Sequence, residues 1–273
     1  MIRTVLAGAA LLSCTTLACA AGPVPRGARA PALGGTSTAL RGEVWCAVVN
    51  PALGKTLPGI HLACDATPTP FGLGELASAG IAVNADLGAV AVMLSATRTG
   101  GELYRETILS TGLSIPVGPK GIIGVSGEMR HVRIRSYGSA ASFALTLGAY
   151  VLPADHLSVG AAVSDAAATR LGASGEKPEP TIQCGLTADP LEGVTVGAEI
   201  WKTSSFPAEL HAGIEYAPIT ALRVRGGISQ EPPGLTFGAG LLAGPLLLDY
   251  AAVFHPLLGP SHIFALVLCL NAP

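Results

Sequence analysis

The chain is poor in charge. Only 12% of its 273 residues are Asp, Glu, Lys or Arg, about half the ~25% of an average soluble domain. A soluble protein with so few ionised groups would struggle to cover its surface with polar atoms. The formal net charge of −2 gives no electrostatic footprint for nucleic acid, and no basic stripe stands out. Long apolar runs are missing as well. No uninterrupted window of about 18 apolar residues occurs, which disfavours membrane-spanning helices. Cysteine is sparse and unpatterned. Cys14 and Cys19 fall in the first twenty residues, and Cys46, Cys64, Cys184 and Cys269 show no CxxC pair and no zinc spacing with histidine. Cys46 and Cys64 could pair in an oxidising compartment, or all four could be small fillers of β structure.

Catalytic signatures are also wanting. There is no G-x-S-x-G elbow and no HExxH or paired-carboxylate pattern. Ser139 with Asp155 and His156, or Ser261 with His262, come nearest to a hydrolase. Ser261 and His262 are neighbours, so an extended chain points them to opposite faces. The sequence calls for no enzyme, no metal and no cofactor.

What is present is glycine, 35 residues of it, with 49% hydrophobic residues. The first twenty residues, "MIRTVLAGAALLSCTTLACA", read as a signal peptide: Arg3, an apolar stretch, then a small-residue cleavage site at Ala18-Cys19-Ala20. A rival reading is acylation at Cys14 or Cys19. Residues 21–58 form a leader and plug segment. Its first part, "AGPVPRGARAPALGG", reads as a flexible leader, and Thr36 to Lys55 is the only stretch that could hold short helices. Asn50-Pro51 in "VNPALG" favours a turn, or a small plug entering a lumen.

From 59 to 273 the chain breaks into β-prone segments separated by turn signals. Fourteen are expected, near 59–65, 76–86, 88–98, 103–116, 120–131, 139–151, 156–165, 180–188, 193–202, 207–217, 220–229, 234–243, 246–255 and 260–270. Most are about ten residues long, enough for a tilted strand to cross a bilayer, and an even number suits antiparallel closure. Within them, apolar and polar residues alternate. Leu210, Ala212, Ile214 and Tyr216 oppose Glu209, His211, Gly213 and Glu215; in "LLLDYAAVFH" Asp249 and His255 share a face opposite Leu248, Tyr250 and Phe254. A soluble sandwich alternates too; the low charge and the export signal favour a transmembrane antiparallel β-barrel, all-β, of about 14 strands with a short N-terminal plug. "YVLPADHLSV" and "EYAPITALRV" read as tight turns, and Ala166–Pro180 and Lys202–Ala208 as the longest outer loops.

The polar faces supply the candidate lumen residues: Asn50 in the plug, then Glu106, Glu128, Arg130, Glu199, Glu209, His211, Glu215, Arg223, Arg225, Asp249 and His255. Charges held away from water need partners. Glu215 faces Arg223 or Arg225 across a short turn and can pair with either. An ion-pair network that stiffens the barrel is one reading of these residues, and a ligand path is the other.

"VNPALG", "PTPFGLGEL", "ELYRE", "YGS", "LHAGIEYAPITALRVRGGIS" and "LDYAAVFHPLLGPSHIFAL" together resemble PorV/PorQ-type outer-membrane barrels, within the wider FadL-like superfamily of fatty-acid transport barrels. The resemblance spans most of the chain after Thr36 and is densest in the last seventy or so residues. It implies a 14-stranded barrel with an N-terminal segment around Asn50-Pro51-Ala52 that occludes the lumen. It departs from such barrels at its end, where "FALVLCLNAP" closes without a terminal aromatic residue. The function it implies is passage or binding of small hydrophobic molecules by a monomer in the outer membrane. An apolar ligand would enter a lumen lined by Ala, Gly and Val and leave by a shift of the plug or of the strands. The alternative is a non-transporting accessory barrel of a type IX-like secretion system, with secretion components or secreted proteins as partners. A soluble periplasmic β protein is a third reading.

Overall fold

A computed structural model describes residues 24–270 except 173, 174 and 176. The expected signal peptide and the acylation sites at Cys14 and Cys19 lie outside the described residues. Fourteen strands run β1 (Ile60–Thr67), β2 (Ser78–Asp86), β3 (Ala91–Gly100), β4 (Tyr104–Val117), β5 (Gly121–Ile134), β6 (Gly138–Ala154), β7 (Leu157–Ala168), β8 (Thr181–Leu191), β9 (Val194–Thr203), β10 (Glu209–Ile219), β11 (Leu222–Gln230), β12 (Pro233–Ala243), β13 (Leu246–His255) and β14 (Gly259–Leu270). Each pairs antiparallel with its neighbours in sequence, and β1 pairs with β14 to close a barrel. Closure leaves no open sheet edge, which a bilayer requires.

The two faces of the wall are inverted relative to a soluble protein. Leu94, Leu113, Phe143, Ile182, Ile214, Val224, Phe237, Leu248 and Phe264 are exposed on the outside, while Ser114, Ser126, Thr181, Gln183, Glu215, Arg225 and Asp249 are buried inside. Burial alternates residue by residue along β3, β8 and β12, as the strand period dictates. Such an outer band matches the hydrocarbon of a membrane. No helix among the described residues is long and apolar enough to cross one.

Connections from odd to even strands gather at one end and include 68–77 and 169–180; those at the other end are tight turns such as 155–156, 192–193 and 220–221. The connection 68–77, in the gap between the first two expected segments, is longer than the connection 204–208, so the loop expected at Lys202–Ala208 is not one of the two longest. It winds into two 3-10 turns, Pro70–Gly72 and Gly74–Leu76. One of them packs on β14, where the Phe71 N–H donates to Ser261 Oγ at 3.0 Å. Ser261 is buried and neighbouring His262 faces out beside Tyr250, so the two cannot act together.

Residues 24–58 lie inside the barrel. They contain α1 (Arg29–Ala32), α2 (Cys46–Val49) and a 3-10 turn at Pro51–Thr56 capped by the Asn50 side chain. The Pro-, Gly- and Ala-rich start of this segment is packed rather than a flexible leader: Ala28, Ala30, Ala32 and Leu33 are all buried. Small side chains are what allow this. Along the inner wall of eight strands a glycine meets the segment at close range: Gly124 at the backbone of Pro51 and Ala52, Gly160 at Thr38, Gly185 at Ala39, Gly213 at Leu33 and Gly227 at Gly34, and Gly148, Gly197 and Gly238 at the side chains of Asn50, Thr36 and Ala32. Those eight lie on β5 through β12, one each. A Cβ at Gly160 or Gly227 would collide with backbone. The inward glycines therefore seat the segment and do not line an empty lumen. No disulfide links Cys46 and Cys64: Cys46 is buried inside and Cys64 is exposed on the outer face.

The lumen and its internal segment

Several polar centres bind the N-terminal segment to the wall. Among them is Asp65 on β1, which accepts from Gly27 N–H at 3.1 Å and faces Arg26 at 3.9 Å. Three others are built on sequence-predicted residues. At the first, Glu199 on β9 accepts hydrogen bonds from the N–H groups of Ser37 (2.7 Å) and Thr38 (2.9 Å), and from the Thr38 hydroxyl and the Trp201 indole. One carboxylate thus satisfies a backbone stretch that enters no helix or sheet. At the second, His211 Nδ1 lies 2.6 Å from the Gly34 carbonyl, with its ring packed on Trp201 at 4.5 Å and Glu209 at 3.7 Å from Nε2.

The third is ionic. Arg225 is 2% exposed and reaches Glu215 at 2.5 Å and Asp249 at 2.6 Å. Arg29 of the segment completes it, donating to both oxygens of Glu215 at 2.9 and 3.1 Å and to the Arg41 carbonyl at 2.7 Å. The bridge from β11 to β13 passes over β12, where Gly240 leaves the space; a Cβ there would run into the Asp249 carboxylate. Buried charges persist only when several partners share them, and here two cations face two anions. The cross-strand register Glu215↔Arg225 selects Arg225 from the two candidates. Arg223 makes no ion pair among the described residues.

Asn50 is wholly buried and ties the segment to itself and to β6: its amide donates to the carbonyls of Thr38 at 2.7 Å and Ala149 at 3.1 Å, and its oxygen accepts from Ala52 N–H at 3.1 Å. At the tight-turn end Lys55 pairs with Asp86 at 2.6 Å, and Arg41 pairs with Asp189. The remaining candidates lie away from these centres, with Arg26 of the segment acting on Glu106. Arg130 joins Glu128 (2.9 Å) and Glu106 (3.4 Å), and His255 sits at the long-loop rim with its ring edge-on to Phe71 at 6.0 Å.

Several participants carry no sequence signal of their own. Arg29, Thr38 and Glu43 lie in a stretch without periodicity. Glu43 is buried and its carboxylate accepts from Trp45 N–H at 3.2 Å. Burial pushes it up to about 7, against the pull of Arg29 and with Asp249 adding repulsion. Nor does the linear sequence show a basic stripe, yet pairing of β3, β4 and β5 brings Arg98, Arg105 and Arg133 to one patch of the outer wall.

No family model matches the chain, and no curated protein matches it. Solved structures do. The Ralstonia pickettii toluene transporter TbuX superposes with a TM-score of 0.67 at 16% identity, covering 93% of this chain and 99% of that one. The chain has the fold of these outer-membrane barrels. The P. putida toluene transporter TodX gives 0.68 at 14% identity over 92% and 100% of the two chains, and a Pseudomonas aeruginosa FadL homologue gives 0.58 at 12% identity over 90% and 99%. The FadL-like fold is thereby established, whereas the PorV/PorQ type is not distinguished by these relatives.

Proposed function

We propose that the protein is an outer-membrane channel for small hydrophobic molecules, closed in this state by its own N-terminal segment. The observation that carries this reading is a closed transmembrane barrel whose lumen is occupied by residues 24–58, held by hydrogen bonds and ion pairs and by no covalent cross-link. Such contacts can be exchanged for water or ligand, so the segment acts as a stopper that moves. The long-loop end faces outward and the tight turns face the periplasm, as in barrels of this kind. The outer rim is apolar where a greasy ligand would arrive: Leu73, Leu257 and Leu258 are exposed around Phe71 and His255. The hydrophobic substrate class is supported by relatives described as toluene transporters.

In this mechanism Asn50, Glu199, His211, Glu215, Arg225 and Asp249 form the latch. Glu106, Glu128, Arg130, Glu209, Arg223 and His255 flank the route past it. No group on this route activates a nucleophile, and the proposed activity is passage without chemistry. The accessory role in secretion draws no support from relatives that are described as transporters and channels.

The test is initial uptake of labelled toluene by cells lacking the protein, cells supplied with it, and cells supplied with Glu199→Ala. We expect uptake to depend on the protein and to rise in the variant, whose segment has lost its wall acceptor. Equal uptake in all three would remove transport, and loss of secreted proteins on deletion would point to the accessory role.

A further inference from the structure

On the outside of the barrel, between β3, β4 and β5, lies a cluster of arginines that the channel reading does not use. Strand parity fixes its direction. Ser95, Thr97, Ser110 and Ser126 are buried on the inner face, so Arg98, Arg105 and Arg133, at odd steps from them, point outward. The register places Arg105 directly opposite Arg133. Two like charges facing each other across a strand pair destabilise the sheet unless an anion sits between them. Among the described residues no carboxylate lies between them; the one in the cleft, Glu102, is turned to Arg135. Arg98, Arg105 and Arg133 make no ion pair among the described residues, and Arg105 Nε is buried without a hydrogen-bond partner. Arg135 in the adjoining turn meets only the exposed Glu102, at 3.9 Å. Between Arg105, Arg133 and Arg135 is a cleft of about 360 Å³, whose lining also includes Glu102 and Ser136; Arg98 stands beside it on β3.

The height of the cluster identifies what fills it. Leu94, Leu109 and Phe143 are exposed on the same outer face and belong to the apolar band. Arg105 lies about 13 Å further along β4 than Leu109 at ~3.3 Å per residue, or about 10 Å in height for a strand tilted by about 40°. That step leaves the hydrocarbon and enters the headgroup layer. Guanidinium groups match phosphate oxygens in pairs, and the outward neighbours Ser139 and Ala141 on β6 are small, leaving room for a sugar or glycerol. We propose that Arg98, Arg105, Arg133 and Arg135 form a binding site for the phosphate of an anionic lipid in the outer leaflet. The inference rests on the outer-membrane placement proposed above and is independent of transport.

The experiment uses the purified full-length protein in detergent, titrated with lipid A (an acylated glucosamine disaccharide bearing phosphomonoesters), with its dephosphorylated form, and with inorganic phosphate. We expect lipid A to bind about 30-fold more tightly than the dephosphorylated lipid, as two arginines contribute at a membrane surface. Arg105→Gln with Arg133→Gln should reduce lipid A to the level of the dephosphorylated form, in protein that still migrates faster unboiled than boiled. Equal binding of the two lipids by the unaltered protein overturns the site, and that comparison stands even where the double variant does not fold. Inorganic phosphate binding as tightly as lipid A overturns the lipid as occupant. A protein with no heat-modifiable form would instead remove the membrane placement itself.

Discussion

Arg225 shows how a single residue can be costly and still retained. It is buried in the wall with Glu215 and Asp249 against it, and the segment's Arg29 shares Glu215. Removing the segment would leave Arg225 alone between two anions, an arrangement that stays paired because neither carboxylate loses its last partner. Glu43 is the opposite case, a carboxyl with no cation in salt-bridge contact, and its titration should be felt by the segment. Its value in the folded protein, about 7, lies above the ordinary 4.5. The folded state therefore holds the proton more tightly, and the associated stability is fully present below about pH 4.5 and is lost as pH rises through about 7. We expect proteolysis of residues 24–58 in the folded barrel to accelerate between pH 5 and 8, and Glu43→Gln to flatten that dependence. Arg29, Arg225 and Asp249 are the charged groups that act on the same carboxyl.

At the scale of elements, strands and segment were legible to different degrees. Each of the fourteen strands falls within a few residues of its expected segment, and the alternation in β10 and β13 assigns faces as burial does. Period-2 patterning is local, and a membrane wall imposes it on every strand. The inner segment has no such period, because it is seated by contacts from strands all round the barrel and its composition of Ala, Gly and Pro fits a loose leader as well as a tight plug. The glycines opposite it carry the missing information. Gly160→Val should displace the segment from β7 and increase protease access to it, since the new side chain meets the Thr38 carbonyl; overpacking of this kind costs about 1–3 kcal/mol. Gly127→Val, where a Cβ meets nothing within 4 Å, should leave access unchanged. Comparable cleavage of the two variants would sever the link between the glycines and the seating of the segment.

For the molecule as a whole, the wall and the stopper are separable. The barrel closes through strand pairing alone, and every strand has two partners without the segment. Deletion of residues 24–58 should then yield a barrel that still shows heat modifiability and that conducts ions in a planar bilayer, whereas the intact chain conducts little. Conductance that is the same in both would mean that the segment does not close the path. The sequence by itself determined which face of each strand is apolar, the number of strands and their approximate ends, because these follow from a two-residue period that any short window reveals. Only the tertiary structure decided that Glu215 takes Arg225 rather than Arg223, that the leader is packed inside, and that Arg98, Arg105 and Arg133 form one patch. Each of those depends on strand register, which brings together residues far apart in the chain, and register is settled by the closure of the whole barrel.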